Sequence, residues 1–202
     1  MNRLQTLHPK ARGFSIAELL IVIAVIGILA SIALVLYPGY QQRTRDNERK
    51  SDLQQISAAL SAHALQKNNF IEIGSGCGLN GNGNGWVNAG PSELGLYPKS
   101  ITTCLQEAGV LAQGEFIDPS GCTWDSGGNC GSWNSTPAKA YMKASCLKNG
   151  QVETFVFAYL ESQPANNAVV DAVCPAGTVN GFTADGQRWG TYYGMNYYVS
   201  VR

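Results

Sequence analysis

The chain has 202 residues, a formal net charge of zero, 14% charged side chains and 23 glycines. That composition excludes a disordered polyelectrolyte and a coiled coil, and fits a stalk followed by one exported domain of ordinary size. From Phe70 onward six basic and ten acidic side chains give a net of −4, so no basic stripe offers duplex nucleic acid a main partner.

Arg3, Lys10 and Arg12 precede Gly13, and the first acid is Glu18. Leu19 to Leu36 then gives 18 positions without a charge, 13 of them Leu, Ile or Val. On the insertion scale those residues favour a bilayer by about 4 to 8 kcal/mol. As a helix the run is ~27 Å long, close to one hydrocarbon thickness. It reads as a membrane span, and the basic residues before it keep that end cytoplasmic and send the rest of the chain across. A secretory signal would place small residues for cleavage behind the apolar run, and no A-x-A pattern stands between Ser31 and Tyr40.

An acid at the edge of a membrane helix is costly without a partner, and a plain signal anchor has no use for Glu18. A cut after Gly13 would give Phe14 an α-amino group one helical turn from Glu18. Basic leader, Gly13-Phe14 junction, Glu18 and apolar run together resemble the class III signal of type IV pilins and pseudopilins. The resemblance implies cleavage after Gly13 and N-methylation of Phe14 by a prepilin peptidase/N-methyltransferase. It also implies that Glu18 pairs with the Phe14 amine of a neighbouring subunit during assembly. Two positions depart from the family pattern. Ala17 replaces a bulkier apolar residue, and the helix-breaking Pro38 comes slightly late.

Pro38-Gly39 is expected to kink or locally melt the helix. Helix resumes over about Gln41 to Gln66, with Leu53, Ile56, Leu60 and Ala64 as one apolar stripe. Before the stripe stand Arg45, Asp46, Glu48, Arg49, Lys50 and Asp52. Their alternating signs argue against a helix lying on a membrane surface. Ala24, Gly27, Ala30 and Ser31 allow close helix approach within the span. His63 reads as a packed or half-exposed histidine.

Residues 73–95 are rich in Gly and Asn and read as a long surface loop anchored by Cys77 and Trp86. No strand and P-loop Lys frame them, so they are not a phosphate cradle. A short helix is expected around Thr103 to Ala108. Ala140 to Leu147 and Val152 to Leu160 alternate about Lys148-Asn149-Gly150, a hairpin signal, with Phe155, Phe157 and Tyr159 on one face. Thr191 to Val201 reads as a further strand. The fold class is therefore α+β. The resemblance implies the pilin fold, a long N-terminal helix on a three- or four-stranded antiparallel sheet with disulfide-bonded loops.

Cys77, Cys104, Cys122, Cys130, Cys146 and Cys174 all follow the stalk, and without a C-x-x-C pair they read as disulfides rather than zinc ligands. Cys122 and Cys130 flank a short turn that suits a local bridge. The resemblance implies a Cys146–Cys174 bridge, which leaves Cys77 with Cys104; the sequence itself leaves the pairing open. Asp118, Asp125 and Asn129 are oxygen ligands that a Ca²⁺-binding loop would use, but EF-hand spacing is absent and a plain turn is favoured. No cofactor is otherwise expected. Trp86, Trp124, Trp133 and Trp189 form either a binding patch or small satellite cores, the latter being the commoner use. Asn134-Ser135-Thr136 is a glycosylation-type sequon. After the leader His63 is the one histidine, so no Ser-His-Asp or Cys-His constellation forms and no enzyme is expected.

The expected organisation is a leader over 1–13, a membrane and filament-core helix over 14–38, an amphipathic half over 39–69 and an exported Cys-rich domain over 70–202. The resemblance implies a structural subunit that self-associates into a type IV pilus or related filament, beginning in the inner membrane and ending outside the cell. Its partners would be further copies of itself, the peptidase and an inner-membrane assembly platform. The alternative is a minor pilin or pseudopilin at a filament tip, acting in adhesion or secretion.

Overall fold

A computed structural model describes residues 14–91, 96–122, 139–174 and 189–202. The elements are α1 (Ile16–Lys67), a 3-10 turn (Leu79–Gly81), β1 (Gly85–Trp86), α2 (Ile101–Glu107), β2 (Met142–Lys148), β3 (Gln151–Ala158), α3 (Asn167–Val173), α4 (Trp189–Tyr193) and β4 (Tyr197–Val201). The chain divides into two compact units between Gln41 and Gln42.

The first unit carries the apolar part of α1. Its side chains from Phe14 to Gln41 are exposed, including Phe14 at 82% and Leu34 at 75%. By length and composition α1 is able to cross a membrane. The local melting that Pro38-Gly39 could have caused does not occur, because α1 is helical throughout with Pro38 inside it. Proline deletes one N–H donor, a local loss that the bonded turns on either side of a 52-residue helix outweigh.

The second unit is a four-stranded antiparallel sheet in the order β1-β2-β3-β4. The β2–β3 register runs from Met142 opposite Phe157 to Lys148 opposite Gln151. Asn149 and Gly150 close the hairpin with φ of 52° and 80°, the pair of positive angles that a type I′ turn needs. Both faces of the sheet are covered. Leu53, Ile56, Ala59 and Leu60 of α1 share a core with Val156, Ala158 and Val201. Met142, Ala144, Phe155 and Phe157 pack on the opposite side with Trp86, Trp189, Tyr193 and Val170. Two-sided burial explains why Met142 to Cys146 are buried without a break, where a one-faced strand would alternate. The long helix on an antiparallel sheet, with disulfide-bonded loops, is the pilin α+β fold.

Two sequence expectations need correction. The middle of the Gly/Asn segment is not a surface loop, since Gly81 to Val87 are buried. Its glycines let backbone cross backbone. A Cβ at Gly83 would stand 1.9 Å from the Ile71 carbonyl oxygen, and one at Gly78 would stand 2.5 Å from that of Asn84. The segment then pairs with β2 through β1. The expected strand over Thr191 to Val201 is shorter. Asp171 accepts from the Gly190 N–H at 2.7 Å and the Thr191 hydroxyl at 2.6 Å, which holds the start of α4, and β4 begins only at Tyr197.

Candidate functional site

The apolar unit begins with a reciprocal cap. The Ser15 N–H donates to Glu18 Oε2 at 2.8 Å, and the Glu18 N–H donates to Ser15 Oγ at 3.2 Å. This capping box satisfies two donors that every helix start leaves open. Phe14 and Glu18 are thus exposed at the head of an exposed apolar helix. Gly13 lies outside the described residues.

The lower half of α1 is fastened to the domain by buried ions. Arg49 is fully buried; its Nε donates to Asp118 Oδ2 at 2.7 Å, and its terminal nitrogens reach Asp118 Oδ1, Asp46 Oδ1 and Glu161 Oε1, each at 2.9 Å. Arg45 forks onto Glu161 at 2.8 and 2.5 Å. Asp46 accepts the N–H groups of Glu161 and Ser162 at 2.8 and 2.7 Å. One face of the helix thereby grips the turn at Asp118 and the segment leaving β3. Burial alone would raise the Asp118 carboxyl, but donors from Arg49 and Ser120 hold it below the usual range. Burial would also lower the Arg49 pKa, yet Asp118 and Glu161 drive it upward. Sequence reading did not find this cluster, because Asp118 and Glu161 lie far along the chain from Arg49.

Asp118 therefore spends both oxygens on Arg49, with Ser120 N–H and Oγ also donating to Oδ1. That use fits a structural turn rather than a Ca²⁺ ligand; Asp125 and Asn129 lie outside the described residues. Among the described residues no group of three His, Cys, Asp or Glu is placed to hold a metal. Cys77 is bonded to Cys104 and Cys146 to Cys174. Cys122 is also disulfide-bonded, and Cys130 lies outside the described residues. Trp86 and Trp189 are core residues at 4% and 0% exposure, so neither contributes to a surface patch. Trp124, Trp133 and the sequon at Asn134 lie outside the described residues. His63 is packed, its Nδ1 2.9 Å from the Asn69 carbonyl.

Comparison with known proteins follows the same outline. The family described as the prokaryotic N-terminal methylation motif matches residues 8–34. The type IV major pilin protein PilA of Myxococcus xanthus (strain DK1622) is 32% identical over 77 residues, 38% of this chain and 35% of that protein. A fimbrial protein of Pseudomonas aeruginosa is 35% identical over 60 residues, 30% of this chain and 39% of that protein. The chain thus spans less than two-fifths of the length of these two relatives. Fimbrial protein EcpC of Eikenella corrodens is 30% identical over 143 residues, 69% of this chain and 93% of that protein. No solved structure matches the chain. An N-terminal methylation motif, an exposed apolar helical segment, a four-stranded antiparallel sheet, and a fimbrial relative matched along nearly its whole length place the chain in the type IV pilin family.

Proposed function

We propose that the chain is a filament subunit that is cut after Gly13, methylated on Phe14 and polymerised through its apolar helix. The observation that carries this reading is Glu18, an acid at the head of an exposed apolar helix within the methylation motif. In a bilayer such an acid needs a partner, and the Phe14 amine of another copy supplies one. The leader is then 1–13, the membrane and filament-core helix 14–38, the amphipathic half 39–69 and the exported domain 70–202. The partners are copies of the chain, a prepilin peptidase/N-methyltransferase and an inner-membrane assembly platform. Before assembly the domain sits outside the cytoplasmic membrane; afterwards it coats an extracellular filament.

N-terminal mass spectrometry of the mature protein tests processing, with N-methyl-Phe14 as the expected first residue and an intact Met1 as the result against it. Glu18→Ala tests assembly. It should leave a processed, membrane-inserted monomer and few sheared filaments, and normal filament yield from that variant would sink the proposal. The tip-adhesin alternative rests on the Gly/Asn segment and four tryptophans, and with Trp86 and Trp189 in the core it keeps less support.

A further inference from the structure

Lys143 on β2 has no exposed surface. Its Nζ donates to the Ile71 carbonyl at 2.9 Å, the Gly83 carbonyl at 2.7 Å and Ser145 Oγ at 3.0 Å. All three acceptors are neutral, and together they occupy the three N–H bonds of an ammonium. A charge buried without a counter-ion is costly, and such a group tends to give up its proton instead.

The neighbours are able to follow that proton. Ser145 Oγ lies 2.8 Å from Thr154 Oγ1 on β3, and either hydroxyl can donate. When Lys143 is charged, Nζ donates to Ser145 and Ser145 donates to Thr154. When Lys143 is neutral, Thr154 donates to Ser145 and Ser145 donates to the lone pair of Nζ. The two remaining N–H bonds still serve the Ile71 and Gly83 carbonyls. The released proton goes to solvent, and no other group changes its ionisation.

Those carbonyls sit where the chain leaves α1 and crosses itself. Ile71 is a buried β-branched residue at φ 57°, a backbone state that costs of order 1 to 3 kcal/mol unless its surroundings enforce it. Gly83 passes directly over the Ile71 carbonyl. Lys143 ties both strands of this crossing to the sheet.

We propose that Lys143, Ser145 and Thr154 form a reversible hydrogen-bond relay that lets the folded chain discharge Lys143, so that the crossing between α1 and the sheet is strengthened or weakened by pH. Burial pushes the Lys143 amine down to about 7 from an ordinary 10.5, and the carboxylate of Glu72, on the segment leaving α1, opposes this. The described side chains hydrogen-bonded next to it are neutral: Ser145 from β2, Thr154 from β3, and Asn84, whose Oδ1 accepts the Ser145 N–H at 2.7 Å. Because the folded amine binds its proton less tightly than the unfolded one, stability is lowest below pH about 7 and rises towards about 10.5.

The test follows the side-chain carbon resonances of ¹³C-labelled lysine across pH in the full chain in detergent micelles. Lys143 should titrate more than about two pH units below the other lysines. Ser145→Ala should lower that midpoint further, because the ammonium loses an acceptor, a readout that a purely structural role would leave unmoved. Lys143→Met should flatten the dependence of unfolding on pH between neutrality and the ordinary lysine range. Titration of Lys143 together with the other lysines, or an unmoved midpoint in Ser145→Ala, overturns the proposal. If Lys143→Met does not fold, the two titrations decide alone.

Discussion

Arg49 and Asp118 form a forked ion pair, Nε and a terminal nitrogen of the guanidinium meeting the two carboxylate oxygens at 2.7 and 2.9 Å across 69 residues of chain. Both side chains are essentially dry, at 0% and 2% exposure. Removing Asp118 takes the forked partner from a buried guanidinium and leaves it only Asp46 and Glu161, each on one nitrogen. Asp118→Ala should therefore cost about 3 to 5 kcal/mol of unfolding free energy, measured by chemical denaturation. Arg49→Met combined with Asp118→Leu should recover only part of that loss, since Asp46 and Glu161 then lose Arg49 as well.

The same cluster predicts acid lability. Burial acts to raise Asp46 and Asp118, but donors from Ser162, Glu161 and Arg49 to the first, and from Arg49 and Ser120 to the second, leave both carboxyls lowered. Glu161 is lowered mainly by its hydrogen bond from Arg45. A carboxyl that is more acidic folded than unfolded stabilises the fold above its unfolded value, and that contribution is lost as pH falls through the folded value. The contribution of these three carboxyls to the unfolding free energy should be level above the ordinary values of 3.8 for Asp and 4.5 for Glu, then drop below them. Asp118→Asn should start lower and show a shallower acid limb in the same titration.

Glycine substitutions should separate backbone crossing from backbone conformation. Gly76 and Gly83 have similar positive φ, 74° and 78°, yet a Cβ at Gly76 meets nothing within 4 Å while one at Gly83 meets the Ile71 oxygen at 1.9 Å. Gly76→Ala carries only the conformational strain, about 1 kcal/mol. Gly83→Ala must part the two chain segments and should cost several times more, or prevent folding. Equal losses in thermal unfolding would show that the crossing does not matter.

These outcomes trace what the sequence does and does not display. The hairpin was legible because alternation in β2 and β3 and the Asn149-Gly150 turn are local signals. The stripe Leu53, Ile56, Leu60 was legible for the same reason, and so was the signal at Phe14 and Glu18. The Arg49 cluster was hidden because Asp118 and Glu161 approach from distant parts of the chain, which helical periodicity does not encode. The Gly/Asn segment misled because flexibility and close backbone approach call for the same residue. Tyr193 and Met195 are both buried and two apart, so the end of α4 and the connection after it imitate a strand.

A second carboxylate on α1, Asp52, is predicted to behave in the opposite way to Asp118. It accepts the Tyr141 hydroxyl at 2.5 Å, but burial, with the charges of Glu48 and Asp118, raises its pKa despite that bond. A carboxyl that is less acidic folded than unfolded binds more protons in the fold, so stability falls as pH rises through its titration and the cost is complete above it. Asp52→Asn removes the charge and keeps an oxygen for Tyr141. It should leave stability at neutral pH unchanged or raise it by no more than about 1 kcal/mol. Tyr141→Phe strips the carboxylate of its donor and should cost about 1 to 3 kcal/mol, more at neutral pH than at an acidic pH below the Asp52 titration. Denaturant titrations at the two pH values decide it, and a large loss from Asp52→Asn at neutral pH would show that the ionised carboxylate holds the domain together as Asp118 does.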